Sequence, residues 1–140
     1  MTCEELQRLI DQSLVHRDLS IGVAGATDAS VELRCRAEPR HAGEDGSEFL
    51  HGGIIALLLD TAASFSLIQA TGSDWATVDL RIDYLTPGRL GALIVKGTAV
   101  HVGRRIGRAA AEVADGTRGS PIAVATGTFI RLARVFEASS

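Results

Sequence analysis

Residues 51–70 of this 140-residue chain hold two features that could do chemistry. Asp60 is the only carboxylate in a run otherwise dominated by Ile54, Ile55, Leu57, Leu58, Leu59, Phe65, Leu67 and Ile68. An ionised carboxylate among apolar neighbours needs partners or a raised pKa, and no Lys or Arg lies within ten residues of the run to serve as one. Such a group is a candidate nucleophile or general base, or else a buried structural acid. The second feature is His51-Gly52-Gly53, at the head of the run. Free N–H groups and the positive end of a helix dipole suit an oxygen that gains charge. Glycine there lets a substrate approach the backbone closely, though Gly52-Gly53 would equally allow a tight turn or close packing. His51 invites a nucleophilic reading, but no serine elbow is present and neither cysteine adjoins a motif. Its expected role is to orient the helix entrance or to donate toward a substrate.

The elements that must position these residues follow from periodicity. Residues 51–70 read as a helix apolar on nearly every side, and therefore as a core element. Its length could span a bilayer, but Asp60, Thr61, Ser64, Ser66 and Gln69 would then lie in lipid, so a membrane span is rejected. Residues 3–15 read as an amphipathic helix carrying Leu6, Leu9, Ile10 and Leu14, with Thr2 and Glu5 spaced as a capping box. Strands are expected at 19–25, 29–38, 76–85, 90–102, 105–115 and 120–132. In 76–85, Ala76, Val78, Leu80, Ile82 and Tyr84 fall on one face, and Thr77, Asp79, Arg81 and Asp83 on the other. Residues 39–50 form a polar loop into the long helix. A long apolar helix followed by a four-stranded meander predicts an α+β domain spanning 1–140, a curved antiparallel sheet wrapped around that helix.

The bulk properties narrow the classes. A net charge of −3, with Lys96 the only lysine, gives no sign of a general nucleic-acid binder. Cys3 and Cys35 are far apart and lack CxxC spacing, which argues against both a disulfide framework and a zinc site. His16, His41 and His101 have no metal-ligand spacing. The acidic start lacks an apolar run, so the expected compartment is the cytoplasm.

His51-Gly52-Gly53-x6-Asp60, followed by Val78-Asp79-Leu80-x-Ile82-x-Tyr84-Leu85-x-Pro87, resembles the hotdog-fold thioesterases of the phenylacetate-pathway (PaaI-like) branch. The likeness covers about residues 30–132. It implies hydrolysis of acyl- or aryl-coenzyme A thioesters by a homodimer or homotetramer, with no metal or cofactor beyond the coenzyme A of the substrate. It further implies that the Gly52 N–H polarises the thioester carbonyl and that Asp60 is the nucleophile or general base. Thr77 would help place the water or the carboxylate, and the turn Gly103-Arg104-Arg105-Ile106 would contact the coenzyme's nucleotide. One position departs: six residues before His51 the family often has Asn or Gln, where this chain has Asp45, which cannot donate a hydrogen bond when ionised.

Gly52 and Asp60 are eight residues apart, or about 12 Å along one helix. A single thioester carbon cannot meet both. The site would therefore combine Gly52 of one chain with Asp60 of another, as two antiparallel helices in a twofold dimer allow. Two rival readings remain at this stage. One is a non-enzymatic acyl-CoA binding module. The other is a hotdog hydroxyacyl-thioester dehydratase, which would use a His with an acid. Ala62, Ala63 and Ser64 hint at space beside Asp60, but the acyl or aryl group is not legible.

Overall fold

The structure is a computed structural model, and it describes residues 1–135. Six antiparallel strands form one sheet around one long helix. In chain order the elements are α1 (Cys3–Ile10), α2 (Leu14–Asp18), β1 (Gly22–Ala26), β2 (Ser30–Ala37), α3 (Gly52–Thr71), β3 (Ser73–Tyr84), β4 (Gly91–Val102), β5 (Ile106–Asp115) and β6 (Pro121–Arg134). The strand order is β1-β2-β4-β5-β6-β3. The expected α+β hotdog is thus present, with α3 as its filling.

The order differs from the expected meander in one respect. β4, β5 and β6 do follow one another across the sheet, but β3 pairs with β6 and lies at the sheet edge. Pro87-Gly88 does not close a hairpin. Instead the chain leaves β3 there and crosses to β4, with the Leu85 and Thr86 N–H groups held by the Ile122 carbonyl at 2.8 and 3.2 Å. Local turn chemistry cannot distinguish a hairpin from a crossover, because both begin with the same breaker residues.

Other boundaries also moved. The Thr2–Glu5 capping box forms as expected, at 2.8 and 3.2 Å. The helix over 3–15 instead breaks into two. Asp11 caps α1, tight bonds from Gln12 to Leu9 and from Ser13 to Ile10 end its last turn, and Ser13 is extended. The break turns Leu14 outward, leaving it 76% exposed, and brings His16 over α3. β1 begins at Gly22 rather than residue 19, because Leu19 and Ile21 fill the core ahead of the strand. Gln7 on α1 clamps this outer strand: its Oε1 accepts from the Val23 N–H at 2.7 Å and its Nε2 donates to the Ile21 carbonyl at 2.9 Å.

α3 starts at the His51 N-cap and stops at Gly72, whose φ of 69° suits a left-handed cap. Ile55, Leu58, Leu59, Ala62 and Leu67 are buried against Leu33, Leu93, Val95, Val113 and Phe129 of the sheet. The closest approach is at Gly97 of β4, where a Cβ would overlap the Ala62 carbonyl. Ala62 and Ala63 are fully buried, so their small size serves helix–sheet contact and does not leave space beside Asp60. α3 is the one helix among the described residues long and apolar enough to cross a membrane, and 56% of that window is buried in the fold. It is not enclosed on every side: Ala56, Leu57, Asp60 and Ser64 form a half-buried flank.

Candidate active site

Asp60 lies on that open flank of α3, half-buried rather than enclosed. The Thr77 hydroxyl donates to its Oδ1 at 2.7 Å. No partner reaches Oδ2 among the described residues, so one carboxylate oxygen is oriented and the other is unpaired. The expectation of an enclosed carboxylate is corrected here: Asp60 has a hydroxyl partner and a face open to solvent.

Alternation along β3 puts Thr77 on the face with Asp79 and Arg81, which is the wrong side. A β-bulge explains the difference. Thr77 pairs with Phe129 and Asp79 with Thr128, so Val78 is the extra residue. Before the bulge Trp75 and Thr77 turn toward the helix; after it Leu80 and Ile82 do. The bulge leaves Val78 55% exposed on the sheet's outer strand. Bulges of this kind re-aim side chains beside functional sites.

The head of α3 is built from three contacts. The His51 N–H donates to the His41 carbonyl at 3.0 Å. The His51 Nδ1 accepts from the Gly53 N–H at 2.8 Å. The Tyr84 hydroxyl, at the far end of β3, donates to the Gly52 carbonyl at 2.8 Å. The Ile54 and Ile55 N–H groups both turn back to the His51 carbonyl. This leaves the exposed Gly52 N–H as the first-turn donor without an acceptor among the described residues. His51 is therefore a helix cap that orients the entrance, one of its two expected roles. A cavity of about 340 Å³ opens beside Gly52, lined by Leu50, Ile55, Tyr84, Leu85 and Pro87.

His41, which has no metal-ligand spacing in the sequence, has a structural role beneath the helix entrance. It is 5% exposed, and its Nδ1 accepts from the Glu38 N–H at 2.9 Å. Its Nε2–H therefore donates to Asp18, at 2.8 Å. That bond, followed by one from Arg40, holds the Asp18 carboxyl below the usual carboxylate range. The cluster braces the segment on which His51 hangs. No spacing in the sequence reveals it, since Asp18 and His41 are 23 residues apart. Tyr84 belongs to the strand motif, where the sequence alone points to no role for it.

Gly103-Arg104-Arg105-Ile106 forms the tight β4–β5 turn, closed by the Gly103 N–H on the Ile106 carbonyl at 2.9 Å. Arg104, Arg105 and Ile106 are exposed. Gly107 pairs with Phe129, which pairs with Thr77, so the turn begins two strand spacings, about 10 Å, across the sheet from Thr77. Asp45 does not join Gly52. It is exposed on a loop closed by the Ala42–Leu50 bridge, beside Arg40, Ser47 and Glu48. Asp60 with Thr77, and Gly52 with His51 and Tyr84, thus make two separate polar clusters, one near the middle of α3 and one at its head.

Comparison with known proteins agrees with this fold. Residues 48–122, more than half of the chain, match the thioesterase superfamily, and the match spans Gly52, Asp60, Thr77 and Tyr84. The chain belongs to the thioesterase superfamily. It is a thioester hydrolase of the hotdog fold. A Halobacterium salinarum protein named as a candidate esterase is 33% identical over 132 residues, covering 87% of this chain and 85% of that protein. The medium/long-chain acyl-CoA thioesterase YigI of Salmonella typhimurium is 27% identical over 133 residues, covering 81% of this chain and 86% of its own length. The E. coli PaaI protein of the phenylacetic acid degradation operon superposes with a TM-score of 0.82 at 19% identity, over 94% of this chain and 93% of that one. At that identity PaaI shares the fold.

Proposed function

We propose that this thioesterase hydrolyses acyl-coenzyme A thioesters at two equal sites, each built from two protomers. The Gly52 N–H of one protomer holds the thioester carbonyl oxygen, and Asp60 of its partner attacks the carbonyl carbon or takes a proton from the attacking water. Thr77 of the same partner fixes the carboxylate. The C–S bond breaks, coenzyme A leaves as its thiolate and is protonated, and the acid is released. Coenzyme A is part of the substrate, and the scheme consumes no metal or cofactor.

The observation that carries this reading is the pairing of a free Gly52 donor with an oriented Asp60 about 12 Å further along the same helix. Neither half can act alone on one carbon. β3 offers the means of joining them. It is an outer strand with an unpaired edge, and it carries exposed Val78 beside Thr77. Antiparallel pairing of two β3 strands about a twofold axis would bring two α3 helices side by side in opposite directions. A pair of such dimers would give the tetramer. The acyl-CoA class rests on the likeness to YigI, whose name carries that substrate. The exposed Arg104 and Arg105 would face the coenzyme's phosphates. Free Cys3 and Cys35 agree with a reducing cytoplasm.

The test is free-thiol release from a panel of acyl- and aryl-CoA thioesters by the wild type and by Asp60→Asn. Turnover of at least one thioester, with a loss of roughly a hundredfold or more in the variant, supports the scheme. A wild type that binds acyl-CoA without releasing thiol would sink it, and release of water from a hydroxyacyl thioester would point to the dehydratase.

A further inference from the structure

The geometry points to Tyr84 as a positioning residue for the oxyanion donor, an inference that rests on the thioesterase chemistry proposed above. The Gly52 N–H shares a peptide plane with the His51 carbonyl, which accepts from the Ile54 and Ile55 N–H groups, so the set of this first turn aims it. The turn is held from both sides. On the N-terminal side His51 is tied by its own N–H to the His41 carbonyl at 3.0 Å and by its ring to the Gly53 N–H at 2.8 Å. On the other side the one tie to Gly52 from outside the helix among the described residues is the Tyr84 hydroxyl, at 2.8 Å from its carbonyl. The phenol lies so close that a Cβ on Gly52 would meet its ring at 3.7 Å. Tyr84 is itself fixed, because it pairs with Ala123 and the next residue bonds to Ile122 at 2.8 Å. A donor that must meet a developing negative charge gains most when it cannot turn away, and this hydroxyl removes that freedom.

Tyr84 serves one of the two proposed sites and not the other. Tyr84 touches Gly52 of its own chain, and that Gly52 works with Asp60 of the other chain. β3 therefore holds one residue for each of two different sites: Thr77 for the site that takes its own Asp60, and Tyr84 for the site that takes its own Gly52.

The experiment uses Tyr84→Phe, which keeps the ring and removes the hydroxyl at a half-exposed position where folding does not depend on it. On the best thioester of the panel, kcat falls about tenfold while KM stays within about twofold. Chains carrying Tyr84→Phe and Asp60→Asn are then co-expressed with different tags, and the mixed dimers are isolated. One site of each mixed dimer combines an intact Gly52–Tyr84 half with an intact Asp60, so the mixed dimers recover about half of the wild-type kcat. If Tyr84→Phe turns over like the wild type, the proposal fails. It fails equally if mixed dimers stay as slow as Tyr84→Phe dimers, since Tyr84 would then act on its own Asp60 or on the fold at large. A wild type inactive on every thioester would instead overturn the underlying chemistry, and this role with it.

Discussion

Thr77 and Asp60 are 17 residues apart in sequence and meet through a 2.7 Å hydrogen bond between the sheet edge and the central helix. The bond spends the hydroxyl proton on Oδ1 and leaves the lone pairs of Thr77 and the second carboxylate oxygen available to a water. Replacing Thr77 with Val keeps the shape and removes the tie. We expect kcat to fall roughly tenfold or more, with little change in thermal stability because residue 77 is exposed. Steady-state kinetics with a melting curve checks this, and an unchanged kcat would exclude Thr77 from the site.

The dimer prediction centres on Val78. An aspartate there places like charges near the proposed twofold axis, where they repel. Val78→Asp should sediment as a monomer with an unchanged far-ultraviolet circular dichroism spectrum and no thioesterase activity. An active monomer would refute the shared site.

Gly97 sets the spacing between α3 and the sheet. In Gly97→Ala the new methyl overlaps the Ala62 carbonyl, which is backbone and cannot swing aside. The cost should be roughly 3 kcal/mol or more, read from urea unfolding. A near-neutral result would mean that the helix can lift off β4 without loss.

Asp18 gives a pH dependence with a definite sign. Its carboxyl is held below the ordinary value of 3.8, first by His41 and then by Arg40. A depressed folded-state pKa gives stability that is complete above 3.8 and is lost as pH falls through the folded value. Wild type and Asp18→Asn should therefore differ in urea midpoint at neutral pH and converge in acid. A gap that persists at the lowest pH would assign the Asp18 effect to something other than its charge.

Much of this was legible in sequence because the informative signals were local. The apolar run from Ile54 to Ile68, the Thr2–Glu5 cap and the breaks at Gly72 and Gly103 fix where elements begin and end. Asp60 stood out because an acid inside such a run is costly. What escaped depended on pairing. The place of β3 beside β6 is a long-range choice that Pro87-Gly88 does not encode. The bulge at Val78 adds one residue to one strand, so every side chain before it lies on the opposite face from the one simple alternation gives. Thr77 was named through family likeness, while its direction came only from that bulge. Tyr84 read as an ordinary apolar-face residue, because its partner is a backbone carbonyl that no sequence pattern marks.

The clamp of Gln7 on β1 bears on how far the sheet can grow. An open sheet has two ends, and a chain with two sticky ends polymerises without limit. Here the Val23 N–H at the β1 end is already spent on a side chain of the same chain, and α1 packs along that strand. In the proposed twofold pairing the β3 end recruits the second copy, and a surface that joins to its own twin is used up in doing so. Under that pairing Gln7, remote from Asp60 and Gly52, would act as a terminator: it would let addition proceed once and keep the proposed assembly from becoming a fibre.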